Sequence, residues 1–160
     1  MKIIPLTLFL LIQIGLFAQE EYQVHLRGKI YSEQTKGVRD FFRGVEIELT
    51  KNDQPVYKMV SDSIGGFEFY ADIDGIWTLK VKKKGFYTKW VEFNLSHLSE
   101  EEKEGGFLMN LDFTMEKNQN LRTKRLLKKN PIGKCSFDPF FNALIWDADY
   151  TANIKSQMKD

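Results

Sequence analysis

Two histidines, His25 and His97, are the side chains in this chain best suited to acid–base catalysis. Catalysis by a serine, a cysteine or a metal ion requires a base or several ligands that converge on one point. His25 lies on the polar side of an alternating stretch, and His97 lies in a polar segment beside Ser96 and Ser99. Neither belongs to the closely spaced histidine pair of a zinc enzyme. We predict that both are ordinary polar residues, and that the chain has no catalytic residue, no metal, no cofactor and no enzyme activity.

Three aspartates, Asp62, Asp72 and Asp74, lie in short polar segments that also contain glycine. A calcium site needs six or more oxygen ligands that converge at regular spacing. Aspartate is also favoured in turns, because its side chain bonds to the backbone two residues further on. Turn formation is therefore the preferred interpretation of all three.

Cys135 is the only cysteine, so no disulfide can form within the chain. A free cysteine usually behaves as a small buried apolar residue. We predict that environment for Cys135, with pairing to another molecule as the alternative.

Exposed aromatic side chains are the remaining candidates for a binding site, because sugars stack on them. Trp77 alternates in step with Leu79 and is predicted to lie in the core, whereas Trp90 shares a face with Glu92 and is predicted to point outward. Tyr70 also falls on a polar face. Tyr70 and Trp90 would form one surface patch if their strands are neighbours. The alternative, which we favour, is that the C-terminal segment covers them and extends the core with its own aromatic residues, Phe137, Phe140, Phe141 and Trp146.

The elements that position these residues begin after an apolar N-terminal stretch. Residues 1–18 carry one charge, Lys2, and about fifteen mostly apolar residues that end at Ala18, which is typical of a secretory signal peptide. A membrane-spanning helix is the weaker interpretation, because polar residues and Pro5 interrupt the stretch. We expect an exported protein in the periplasm, or associated with the outer membrane or cell surface, with no spanning segment in its mature part.

Between Tyr22 and Met115 the residues alternate apolar and polar with a period of two, which predicts strands with one buried face. Glycine and Asn-Asp segments between them predict tight turns. The predicted fold is all-β, a seven-stranded sandwich within residues 19–116. Its strands are residues 24–30, 45–49, 56–61, 67–69, 77–81, 91–95 and 107–115.

Residues 117–160 lose this alternation and are predicted to be a basic linker and a docking segment. The basic stretch 122–134 is either a solvated linker or short helix, or a contact for an anionic surface such as lipid head groups or acidic glycans. A small hairpin around Asp138-Pro139 and a short terminal helix after Asp147 complete the extension.

Net charge limits the class of partner. The chain carries 23 basic and 22 acidic residues, and Lys2 is the only charge within residues 1–18, so the mature part is close to neutral. A nucleic-acid partner is therefore not expected.

Several turn motifs resemble those of carboxypeptidase-regulatory-like domains. They are Gly28, the pair Gly44-Val45 before a strand, the segment 61–67 (Ser-Asp-Ser-Ile-Gly-Gly-Phe) and the pair Gly85-Phe86. Segment 61–67 has one residue more before its phenylalanine than the family pattern. The resemblance covers about residues 22–116 and implies a prealbumin-like Greek-key sandwich, as found in exported accessory modules of Bacteroidetes-type envelopes.

These observations predict a non-catalytic exported module that mediates protein interaction or assembly at the cell envelope. The alternative is a carbohydrate- or peptidoglycan-binding module that uses Tyr70 and Trp90. The sequence identifies neither the envelope partner nor a ligand.

Overall fold

The structure is a computed structural model that describes residues 23–35 and 38–159. The predicted signal peptide, 1–18, lies outside the described residues.

The described part of the chain forms strands over most of its length and three helices. In chain order they are β1 (Gln23–Thr35), β2 (Val38–Phe41), β3 (Glu46–Lys51), β4 (Gln54–Val60), β5 (Gly66–Asp72), β6 (Ile76–Lys82), β7 (Lys89–Asn94), α1 (Glu100–Lys103), β8 (Phe107–Asn110), β9 (Phe113–Glu116), α2 (Leu121–Lys129), β10 (Gly133–Asp138), β11 (Ala143–Trp146) and α3 (Ala148–Lys159).

The strands pair into two sheets. In the first sheet β1 is central: β5 and β8 flank its first half, and β2 and β9 flank its second half. The second sheet has the order β11-β10-β7-β6-β3-β4. Adjacent strands of this sheet are antiparallel, except that β10 runs parallel to β7. The predicted all-β sandwich is therefore confirmed.

The core lies between the sheets and follows the predicted alternation. Trp77 and Phe113, which come from opposite sheets, are each 2% exposed. Apolar side chains removed from water contribute roughly 25 cal/mol for each Å² buried. The period-two pattern thus places one face of each strand in a shared interior.

Two features of the first sheet differ from the prediction. The strand predicted over 107–115 is divided into β8 and β9, because the chain bends inward at Leu111, whose amide donates to the Arg27 carbonyl at 2.9 Å. A Cβ atom on Gly28 would lie 1.9 Å from the Leu111 carbonyl oxygen, so this approach requires glycine. In addition β2 pairs with β1 and lies between residues 30 and 45, a stretch for which no strand was predicted.

The segment 61–67 forms the turn that its motif predicts. The Asp62 carboxylate accepts hydrogen bonds from the amides of Ile64 (2.9 Å) and Gly66 (2.7 Å). Gly65 has a φ of +72° and its carbonyl accepts from the Ile30 amide at 2.8 Å. The turn therefore ties the start of β5 to the middle of β1.

The C-terminal extension contains the predicted hairpin, β10–β11, and the predicted terminal helix, α3. The hairpin is part of the sandwich itself, because β10 pairs with β7 and so extends the second sheet. The basic segment forms a helix, α2, at its N-terminal end. Helices α2 and α3 pack around a second apolar cluster of Tyr87, Leu127 and Ile154.

Candidate functional site

The two histidines do not come together in the fold. His25 lies on the outer face of β1, where its ring stacks on Tyr70 with 4.5 Å between ring centroids and its Nε2 contacts the Glu68 carboxylate. His97 lies in the connection that follows β7, with a φ of +69°. Within residues 23–35 and 38–159, no three His, Cys, Asp or Glu side chains are grouped closely enough to hold a metal ion.

The acidic turn at Asp72 and Asp74 is neutralised by a lysine. The Lys51 ammonium contacts the Asp72 carboxylate and lies 3.4 Å from that of Asp74. The hydrogen bond that Lys51 donates to the Asp72 carboxylate is the main reason that the pKa of Lys51 is raised. The Trp77 indole N–H also donates to the Asp74 carbonyl at 2.9 Å, so this turn is held by contacts within the chain.

Cys135 is buried in the core, 3% exposed. Burial raises the pKa of its thiol to about 12, because the thiolate would lose its hydration. The predicted environment is confirmed.

Tyr70 and Trp90 lie on different sheets, so the shared surface patch does not form. Trp90 faces away from the sandwich core, as predicted, but α2 lies over it and its indole N–H donates to the Leu127 carbonyl at 2.9 Å. Tyr70 remains 51% exposed. The C-terminal segment therefore covers Trp90 but leaves Tyr70 exposed.

A charge pair between a buried lysine and a half-buried glutamate, which the sequence analysis did not identify, lies in a cleft between β9 and α3. The cleft has a volume of about 710 Å³. The Lys89 ammonium contacts the Glu116 carboxylate and the Thr114 carbonyl, and burial lowers the pKa of Lys89. The available signal was strand parity, because Lys89 alternates in step with Val91 and must face inward.

The hairpin between β10 and β11 carries the most exposed aromatic pair. Phe140 is 87% exposed and Phe141 is 64% exposed, and their ring centroids lie 4.9 Å apart. The expectation that both extend the core is therefore wrong. Trp146 and Phe137, by contrast, do pack inward, against Phe93 and Phe107.

The backbone of this tip is held by its own side chains. The Asp138 carboxylate accepts from the amides of Phe140 (2.8 Å) and Phe141 (3.3 Å), and Asn142 takes the left-handed conformation with a φ of +48°. We call Phe140 and Phe141, with this turn, the hairpin tip. Its shape presents two aromatic rings to solvent on a defined backbone.

The base of the hairpin packs against the strand that follows α1. The Phe107 ring, at the start of β8, lies 5.8 Å from the Phe137 ring of β10. The exposed glutamates of α1 precede this strand in the chain, and one of them, Glu100, is paired with Lys103 at 2.8 Å.

Comparison with known proteins finds similar folds but no family. No protein-family model and no curated protein matches the chain. Similar solved structures include 3-chlorocatechol 1,2-dioxygenase from Rhodococcus opacus, with 10% identity, a TM-score of 0.43 and 59% of each chain covered. The 5-hydroxyisourate hydrolase of Klebsiella pneumoniae has 15% identity and a TM-score of 0.43, with 59% of this chain and 91% of that chain covered.

A third similar structure is GBS52, a minor pilin of Streptococcus agalactiae, with 13% identity and a TM-score of 0.42. The match covers 62% of this chain and 46% of the pilin, and the match to the dioxygenase covers 59% of that enzyme. Such low identity concerns the fold alone.

The prediction that the chain is not an enzyme is corrected by these comparisons. Dioxygenases and a hydrolase are among the proteins with a similar sandwich, so this fold gives no ground for excluding catalysis. The carboxypeptidase-regulatory-like family remains a prediction.

Among residues 23–35 and 38–159, no helix combines the length and the apolar character that crossing a bilayer requires.

Proposed function

We propose that this protein is an exported β-sandwich module that binds a protein partner at the cell envelope through its hairpin tip. Export rests on the signal-like residues 1–18. The location follows from it: periplasm, or an outer-membrane or surface position. The observation that carries the interaction is the exposure of Phe140 and Phe141 on an ordered turn.

The hairpin tip has the energetics of an interface anchor. Burial of a phenylalanine side chain contributes about 1.5–3 kcal/mol. The Asp138 carboxylate already holds the turn, so little conformational entropy is lost on binding. Neither ring contributes much to this chain's own core, so both are available to a partner.

The two rings indicate the type of partner. Aromatic side chains that bind a protein partner usually fill a well-packed, desolvated pocket, and Phe140 and Phe141 present their rings together on an ordered turn. We therefore infer a protein partner with an apolar pocket.

A photo-crosslinking residue at Phe140 tests the proposal in intact cells. The partner it traps is then purified, and its affinity is measured for the original chain and for the double variant F140S/F141S. We expect the variant to bind about tenfold more weakly or worse, which corresponds to 1.4 kcal/mol. Phe41→Ser, which removes another exposed aromatic residue, is the control and should bind normally.

Thermal unfolding separates binding from folding in this experiment. Because both tip rings are exposed, F140S/F141S should change the free energy of unfolding by no more than about 0.5 kcal/mol. Unchanged affinity in a folded F140S/F141S variant would show that the hairpin tip is not the contact.

Carbohydrate binding remains the second candidate, and one observation favours it. Tyr70 presents an exposed ring stacked on His25, with the polar side chains of Glu68 and Arg27 nearby on the same outer face. NMR titration with a panel of glycans and peptidoglycan fragments tests it. Tyr70→Ala should abolish the response and Trp90→Phe should keep it, whereas no response from the original chain excludes this function.

A further inference from the structure

A cationic cleft lies between α2 and α3. Arg122, Arg125 and Lys129 recur at intervals of three and four residues, so they share one face of α2. Together with Leu126, Asn130 and Gln157 they line a cleft of about 290 Å³. We call these three basic residues the cationic stripe.

Among the described residues, no carboxylate lines the cleft of the cationic stripe. The described lining residues include none, and α2 has no acidic residue in its first turn. The ion pairs found within residues 23–35 and 38–159 involve none of the three side chains. Like charges three or four residues apart on a helix repel each other and destabilise it.

Attachment of α2 to the sandwich does not require these charges. The buried residues of α2 are Thr123 and Leu127, and the Leu127 carbonyl accepts the hydrogen bond from Trp90. The cationic stripe lies on a different face, and all three of its residues are exposed. Its unfavourable charge density is therefore not explained by the fold.

We propose that this cleft binds a phosphate group. Two guanidinium groups can each donate a pair of parallel hydrogen bonds to phosphate oxygens, and the lysine adds a third positive charge. The group can belong to a free phosphate compound or to a phospholipid head group. The site is independent of the hairpin tip, because the two lie at opposite ends of β7. Helix α2 contacts β7 near the first residues of that strand, and the hairpin tip extends beyond the last residue of that strand.

Two probes distinguish the sources. Inorganic pyrophosphate is titrated against the purified protein while the arginine Nε–H signals are followed by NMR. Vesicles of phosphatidylglycerol, with phosphatidylcholine vesicles as the neutral reference, are tested by co-sedimentation at low and high salt. We expect binding to at least one probe, with weakening by salt because the contact is ionic. Binding to pyrophosphate alone indicates a free phosphate compound, and binding to the anionic vesicles indicates a head group.

Two double variants with the same loss of charge provide the decisive comparison. R122Q/R125Q removes the guanidinium groups of the cationic stripe, whereas K124Q/K128Q removes two exposed charges of α2 that do not line the cleft. We expect R122Q/R125Q to lower the affinity about tenfold and K124Q/K128Q to lower it only about twofold. Equal losses, or no binding of either probe by the original chain, would overturn the proposal.

Discussion

At the scale of single residues, Lys89 shows how a charge is kept inside the sandwich. Its ammonium is almost fully enclosed and is paired with Glu116. Removal of a lysine from water disfavours its charged form, and here this effect exceeds the attraction of the carboxylate, so the pKa is lowered. Glu116 is only half-buried, so the cost of this pair lies mainly in the dehydration of Lys89.

The lowered pKa of Lys89 predicts a specific pH dependence. Between that pKa and the ordinary value of 10.5, the unfolded chain binds more protons at this residue than the folded chain, so stability rises with pH in this window. We expect Lys89→Met to remove this rise. Urea unfolding of both proteins from pH 7 to pH 10.5 measures the difference. Identical pH dependence would mean that Lys89 titrates normally.

Cys135 predicts an unreactive thiol. Its pKa of about 12 leaves roughly a thousandfold less thiolate at pH 8 than the ordinary value of 9.0 would, and the thiolate is the reactive form. A thiol-specific chromogenic disulfide should not react with the folded protein and should react with one thiol per chain in denaturant. Rapid reaction under native conditions would contradict the burial.

Strand parity predicted the single residues that lie within strands. Trp77 is in the core and Trp90 points away from it, as their neighbours indicated. Parity does not apply in turns, so the exposure of Phe140 and Phe141 was missed. Strand parity also does not show which element covers an outward-facing residue. The alternation therefore predicted that Trp90 faces outward, but not that α2 covers it.

At the scale of elements, the predicted strands all form, but the local sequence pattern does not predict which strands pair with each other. The division of β8 from β9 depends on the contact between Gly28 and Leu111, which are far apart in the chain. The parallel pairing of β10 with β7 is similarly non-local. Alternation indicates which face of a strand is buried, but not which strand lies beside it.

Gly28→Ala tests the close approach in the first sheet. The added Cβ would meet the Leu111 carbonyl oxygen at 1.9 Å, so the backbone must shift and the bond between Leu111 and Arg27 weakens. We expect a loss of about 2–3 kcal/mol in the free energy of unfolding. Chemical denaturation measures it, and Ser136→Ala, at an exposed strand position, should cost no more than about 0.5 kcal/mol. If Gly28→Ala costs no more than the Ser136→Ala control, the first sheet accommodates a side chain at Gly28 without strain.

At the scale of the whole molecule, the C-terminal extension completes the second sheet. Without β10, the strand β7 would be an edge, with unpaired amide and carbonyl groups along one side. The other end of this sheet, β4, already carries Pro55 and exposed side chains, which are features of a tolerated edge. The extension therefore pairs the edge that β7 would otherwise expose, where Val91 and Phe93 point into the core.

Truncation after Lys129 tests this protection. The shortened chain lacks β10, β11 and α3, and we expect it to self-associate through the uncovered β7. Light scattering after size-exclusion chromatography measures the mass. The matched control is truncation after Trp146, which keeps β10 in place and should keep the oligomeric state of the full chain. A monomeric, folded product of the longer deletion would rule out this role.

Because β10 comes long after β7 in the chain, the second sheet is completed late during synthesis. β7 ends at Asn94, and its partner begins at Gly133, so about forty further residues must leave the ribosome before the strand acquires its neighbour. At about 5–20 residues per second this takes roughly two to eight seconds. Until β10 is available, β7 is an open sheet edge, and an open edge can pair with other chains.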